Sequence, residues 1–217
     1  MPLTVTVPAV NSELTSLIRI KGELEITAST DDPQLVDNIR EASALIKAYC
    51  GRDFARETVT ETFVGSGMVD VCLTRTPIIS VSALSYDGTT IGSTTFEIQD
   101  SEAGILRRID NIWTNSEYRR QNIERYALPS GAGKNNWSVT YVSGYITPGS
   151  TSGQRTLPFD IERACIETVK SFYLRRGDDP RLKHQRTGDA SETLFDTVHG
   201  LPATAESILR NWRRISI

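Results

Sequence analysis

Apolar positions along this chain change their spacing twice. After an extended stretch at the N-terminus, Leu14, Leu17 and Ile18 predict one face of a short helix, capped by Asn11 or Ser12 and with Gly22 near its end. A longer helix follows. Asp32 stands at its N-cap and Pro33 at its first helical position, where a missing N–H costs nothing. Leu35, Ile39, Ala42, Ile46 and Tyr49 recur at steps of three or four, while Asp37, Arg40, Glu41 and Lys47 fall on other faces. Gly51 supplies a left-handed stop. From about residue 57 the period becomes two. Val59, Glu61 and Phe63 alternate with threonines, Gly65-Ser66-Gly67 turns the chain, and Val69, Val71 and Leu73 alternate with Asp70 and Cys72. Ile79-Ser80-Val81-Ser82-Ala83 reads as a strand leading to Tyr86-Asp87-Gly88, and Asp-Gly between strand-like runs is a strong hairpin signal. Phe96-Glu97-Ile98, Gly104-Ile105-Leu106 and, as the last strand, Trp137–Val142 complete the block.

The helical period then returns. Pro158 opens a helix with Asp160 and Glu162 in its first turn, where the dipole favours acids. Leu157, Ile161, Cys165, Thr168, Val169 and Phe172 form its apolar stripe, and Gly177 stops it. A short helix from Pro202 to about Arg210 precedes the end of the chain. Helices, then strands, then helices make an α+β pattern. The expected fold is a bundle-like helical core interrupted by an inserted antiparallel β-rich block and finished by an extended C-terminal tail. The boundaries fall at 1–56 for the first helical part, 57–145 for the insertion, 146–209 for the second helical part and 210–217 for the tail.

Composition narrows the classes. The chain has 217 residues, 38% hydrophobic and 24% charged, which suits a soluble domain with its own core. Its net charge of −3 leaves no overall basic field for a nucleic acid. Cys50, Cys72 and Cys165 are odd in number and far apart, which suits reduced thiols in a cytoplasm better than a disulfide scaffold. The N-terminus lacks the basic and apolar regions of a signal peptide, and no apolar run is long enough to cross a membrane.

Catalytic chemistry finds little footing. His184 and His199 have no second ligand at metal-site spacing, and the cysteines form no C-x-x-C pair. Ser130-Gly131-Ala132-Gly133-Lys134-Asn135 suggests a phosphate loop. Leu128 stands where its first glycine belongs and Asn135 where its hydroxyl belongs, and a strand follows in place of a helix. Asn136-Trp137-Ser138 fits a glycosylation acceptor, a chance match in a cytoplasmic chain. Asp178-Asp179-Pro180 is an acidic turn with too few oxygens for a cation. No cofactor and no metal are expected.

Charge distribution says more. Residues 107–134 carry Arg107, Arg108, Arg119, Arg120, Arg125 and Lys134 against Asp110, Glu117 and Glu124. Tyr118 and Tyr126 are interleaved, so this loop is a candidate contact for a neighbour, a tail protein or DNA. At the C-terminus Trp212, Ile215 and Ile217 alternate with Arg210, Arg213 and Arg214. Trp and Arg are the residue types that anchor protein interfaces.

Four strings in order carry a family resemblance: Ala48-Tyr49-Cys50-Gly51-Arg52-Asp53-Phe54, Leu73–Val81 leading into Tyr86-Asp87-Gly88, Trp137–Tyr145, and Leu157–Cys165 followed by the Arg-rich end. On these the chain resembles the head–tail connector proteins of tailed bacteriophages, also called adaptor or head-completion proteins. The resemblance implies a structural virion protein in the neck, with a helical core and a β insertion. It implies a ring of twelve copies beneath the portal, with a stopper or tail-completion protein on the other side. DNA would pass through its channel without specific binding, and no membrane is involved. It also implies that the C-terminal segment, with Arg210, Trp212, Arg213, Arg214, Ile215 and Ile217, reaches toward the portal. Two other classes stay open: an enzyme built from scattered carboxylates such as Asp178, Asp179 and Asp189, and a DNA-binding module using the loop 107–134.

Overall fold

Leu3–Val7 (β1) is a strand and pairs antiparallel with Glu57–Phe63 (β2), so the sheet takes in the first residues of the chain as well as the later block. The computed structural model describes residues 1–114, 136–150, 153–176, 184–187, 190–193, 197–198 and 200–214. It divides into two units: Met1–Ala9 with Arg56–Tyr145, and Val10–Ala55 with Ile146–Ile217. The class is α+β, as the two changes of period predict.

The first unit holds two antiparallel sheets. Its further strands are Asp70–Cys72 (β3), Ile78–Tyr86 (β4), Thr89–Thr90 (β5), Phe96–Asp100 (β6), Ile105–Arg108 (β7) and Trp137–Ser143 (β8). Five form a sheet in the order β1-β2-β8-β4-β5, and three form another in the order β3-β7-β6. Alternation decides the faces. Val59, Glu61 and Phe63 of β2 are buried, and Thr58, Thr60 and Thr62 between them are only partly so. Trp137, Val139 and Tyr141 continue the buried face on β8. Both sheets contribute to one core, in which Val71 and Leu106 meet Val59, Phe63, Leu84, Trp113 and Val139. Asp87 (φ 48) and Gly88 (φ 79) make the β4–β5 hairpin, both in the left-handed region that a type I′ turn needs.

The second unit is helical: Leu17–Leu24 (α1), Asp32–Cys50 (α2), Phe159–Leu174 (α3) and Ala203–Leu209 (α4). Leu35, Ile39, Ala42, Ile46 and Cys50 form the buried stripe of α2, and Ile161, Cys165, Thr168 and Val169 that of α3. Each fully buried Leu or Ile among them contributes roughly 1.5–3 kcal/mol. Four short strands, His184–Thr187 (β9), Ala190–Thr193 (β10), Thr197–Val198 (β11) and Leu201–Pro202 (β12), pair as β9 with β10 and β11 with β12. Trp137–Val142 is therefore not the last strand; the later ones are two to four residues long and carry no apolar alternation to announce them.

Other boundaries also shift. Ser16, not Asn11 or Ser12, caps α1, its hydroxyl accepting from the Arg19 N–H at 3.4 Å. Asn11 is used one turn earlier, accepting from the Glu13 N–H at 2.7 Å. Ile18 is exposed, and Ile20 takes the buried place. Asp31 rather than Asp32 is the N-cap of α2; its side chain makes no capping bond and instead accepts from the Tyr173 hydroxyl and from Arg176. Gly51 ends α2 in the left-handed region (φ 64), as expected.

Candidate functional site

The C-terminal segment builds its site at the end of α2. Arg210–Trp212 is a single 3-10 turn continuing α4, and extended backbone begins only at Arg213. The tail from 210 is thus not extended throughout, because its first turn prolongs the helix before it. The Arg214 N–H donates to the Cys50 carbonyl at 2.8 Å, satisfying one of the acceptors that a helix end leaves open. Helix α2 also presents its negative end here, which favours the guanidinium groups of Arg52, Arg213 and Arg214 nearby.

Trp212 is half-buried and held from three sides. Its ring meets Phe54 edge-on at 6.5 Å, its Nε1–H donates to the Asp160 carboxylate at 2.7 Å, and Arg52 lies over it at 5.7 Å. The same Arg52 guanidinium stands 5.2 Å from the Phe54 ring. Arg213 lies 5.7 Å over the Tyr49 ring, and the Tyr49 hydroxyl donates to Glu206 at 3.3 Å. Burial first, and the Glu206 charge second, push the Tyr49 phenol up. Arg210 pairs with Glu206 at 3.6 Å, and Arg210, Arg213 and Arg214 are all exposed. Phe159, one residue before the Asp160 that holds Trp212, is also exposed, with Arg155 4.1 Å over its ring.

The structure therefore brings together four of the six tail residues singled out in the sequence, Arg210, Trp212, Arg213 and Arg214. Ile215 and Ile217 lie outside the described residues. Sequence reading missed the receiving side, Arg52, Phe54, Asp160 and Glu206. The only local signal was an aromatic residue three positions after a helix-stopping glycine.

The loop residues Tyr118, Arg119, Arg120, Arg125 and Tyr126 lie outside the described residues, as do Asp178, Asp179 and Asp189. Two of the arginines counted in the basic loop belong elsewhere. Arg107 and Arg108 are in strand β7, because alternation continues through them. Arg107 grips Asp70 with two bonds of 2.8 and 2.9 Å, which hold the Asp70 carboxyl below the usual range. Arg108 is buried beside Trp113 and Trp137 and pairs with Asp110 at 3.0 Å. Neither is free to neutralise a phosphate. Among the described residues no three His, Cys, Asp or Glu side chains gather as a metal-binding group, and no helix is long and apolar enough to cross a membrane.

Among the described residues Glu61 is the most deeply buried carboxyl group, 0% exposed on the core face of β2. One oxygen accepts from the Tyr141 hydroxyl at 2.8 Å and the Thr74 N–H at 2.9 Å, and the other from the Thr74 hydroxyl. These bonds pin the turn that follows β3. The arrangement is that of a fastener.

Residues 13–215 match the head completion proteins as a family. The chain belongs to the head completion protein family. Among curated proteins none matches its sequence. Among solved structures its fold is similar to a chain in the neck of an empty gene transfer agent particle, computed with C6 symmetry. The TM-score is 0.60 at 16% identity, over 100% of this chain and 97% of the other. A chain in the neck of the native particle, computed with C12 symmetry, gives 0.58 at 16% identity over the same shares. One in the virion of the native particle gives 0.58 at 14% identity, again over 100% and 97%.

Proposed function

We propose that this member of the head completion family is a structural head–tail adaptor of a virion neck. Copies assemble as a ring on the portal, extend the DNA channel and offer the surface on which a stopper or tail protein docks. The observation that carries this reading is the family match over residues 13–215, supported by a fold shared along the whole chain with neck proteins of gene transfer agent particles. Those necks were computed with C6 and C12 symmetry, which is consistent with a ring of twelve. A ring needs a heterologous contact whose rotation closes, and many modest contacts then act together through avidity. None of this needs a nucleophile, a metal or a cofactor, and the adaptor is not an enzyme. With a net charge of −3 the chain does not hold passing DNA by phosphate neutralisation.

In this reading the C-terminal segment is the portal-facing element. Trp212 and exposed Arg210, Arg213 and Arg214 offer the residue types that dominate interface energetics, and Ile215 and Ile217 extend the same stretch. The loop carrying Tyr118, Arg119, Arg120, Arg125 and Tyr126 contacts a neighbouring copy, the tail protein or DNA. The test is to mix the purified chain with the portal protein of the same particle and follow co-migration by size-exclusion chromatography. The full chain is expected to co-migrate, and a chain lacking residues 210–217 to elute alone. A truncated chain that binds equally well removes the tail from the interface. A full chain that ignores the portal overturns the adaptor reading.

A further inference from the structure

Among the described residues four strands are terminal in the two sheets of the β-rich unit; β5 has two residues and β3 three, and β1 and β6 are the longer pair. In the five-stranded sheet β1 is terminal, bonded to β2 alone, and in the three-stranded sheet β6 is terminal, bonded to β7 alone. Each is five residues long. Ladder parity tells which backbone groups point outward. The Thr62 N–H donates to the Pro2 carbonyl at 3.0 Å, and Leu3 faces Glu61 while Thr4 faces Thr60. In an antiparallel ladder bonded pairs alternate with non-bonded ones. Pro2 and Thr4 therefore turn their backbone groups toward β2, and Leu3 and Val5 turn theirs away. On β6 the Ile109 N–H donates to the Thr95 carbonyl at 3.0 Å and Glu97 faces Arg107, so Phe96 and Ile98 point outward. The two edges thus present the same device, two outward residues separated by one inward residue.

The side chains add a second asymmetry. Natural edges are usually blunted by charge, by proline at an outward position or by cover. Strand β1, Leu3-Thr4-Val5-Thr6-Val7, carries no charge, and its last four residues are exposed. Its neighbours on the sheet's outer face, Thr58, Thr60, Thr62, Ser138 and Thr140, are uncharged too. Strand β6 carries exposed Glu97 and Asp100. Pairing β6 with β6 of another copy would set acid against acid. Pairing β1 with β6 sets an uncharged edge beside an acidic one and carries no such penalty.

We propose that the outer edge of β1 in one copy pairs with the outer edge of β6 in the next, joining successive copies head to tail. The occupant is a second copy because the chain itself carries both edges, matched in length and in outward spacing. A contact between two different edges is heterologous, the type that a closed ring of more than two copies requires. Main-chain bonds supply the adhesion, as in other additions of a strand to a sheet edge. This deepens the adaptor reading and rests on it, since it names the surfaces that hold the ring together.

Hydrogen exchange of the full chain, alone and assembled on the portal protein of the same particle, tests it. The amides of Leu3, Val5, Phe96 and Ile98 are expected to exchange rapidly in the free subunit and to slow at least tenfold in the ring. The Val5→Pro chain lacks an outward N–H that β2 does not use. It is expected to keep the wild-type circular dichroism spectrum and to lose the ring. Ile98→Pro on the other edge is expected to do the same. If the ring forms while these four amides exchange at the free-subunit rate, or if the folded Val5→Pro chain assembles normally, the edge pairing is wrong and the adaptor reading stands. A two-copy species with β1 protected and β6 still exchanging also overturns it, by showing β1 paired with β1. Failure of the wild-type chain to form any ring removes the adaptor reading itself, and with it this proposal.

Discussion

Glu61 sits between Val59 and Phe63 on a core face, and its tolerance there depends on Tyr141 and Thr74, which saturate its oxygens. Removing the Tyr141 hydroxyl leaves a buried oxygen of Glu61 one donor short and takes the acceptor from the Arg75 N–H, which donates to that hydroxyl at 3.0 Å. Tyr141→Phe is therefore expected to cost about 1–3 kcal/mol, read as a lower urea midpoint. An unchanged midpoint would show that the turn after β3 holds without this bond. The same burial sets an alkaline limit on stability. Burial pushes the Cys165 thiol up to about 12 and the Cys50 thiol up to about 11, and burial followed by the Glu61 charge pushes the Tyr141 phenol up. Above about pH 9 the unfolded chain releases thiol protons that the folded chain keeps, so stability falls as pH rises. Each such group contributes a slope of about 1.4 kcal/mol per pH unit until its folded value is reached. Melting temperatures are expected to be level from pH 7 to 8 and to drop steadily from pH 9 to 11. Cys165→Ala is expected to make that drop shallower, and an unchanged slope would show that this thiol titrates freely in the fold.

At the scale of elements, close backbone approach matters as much as side-chain packing. Gly65 follows β2 where a Cβ would lie 2.1 Å from the Thr114 carbonyl oxygen and 2.5 Å from that of Trp113. Backbone on that side is fixed, since the Trp137 Nε1–H donates to Thr114 at 3.0 Å and the Gly67 N–H to Trp113 at 2.8 Å. Gly65→Ala is expected to cost on the order of 3 kcal/mol or more and to perturb the fluorescence of Trp113 and Trp137, with wild-type emission and midpoint as the contrary result. The elements also show what a sequence displays. Helix α2 was legible because five apolar residues repeat at helical spacing before a glycine, all of it local information. Strands β2 and β8 were legible because threonine and serine mark the outer face between buried residues. The start of α1 was misplaced because Asn11 and Ser16 are both good caps and only the fold shows which hydroxyl or amide is used. The pairing of β1 with β2 spans more than fifty residues, and no local pattern reports it. The candidate site divides in the same way: Trp212 and its arginines stand out by type, whereas Phe54 and Asp160 enter only through folding.

On the scale of the whole molecule, the chain combines a β-rich unit, whose longest terminal strands are β1 and β6, with a helical unit that carries an aromatic and arginine cluster at its C-terminal end. In the proposed ring the edges serve the neighbouring copies and the cluster serves the portal. A head completion protein that works by assembling can be seen doing so, by imaging the full chain mixed with the portal protein of the same particle. The expected image is a closed ring coaxial with the portal, with sixfold or twelvefold symmetry and the C-terminal segment at the contact. Isolated copies scattered on the portal, or portals bare of added density at saturating subunit, would contradict it.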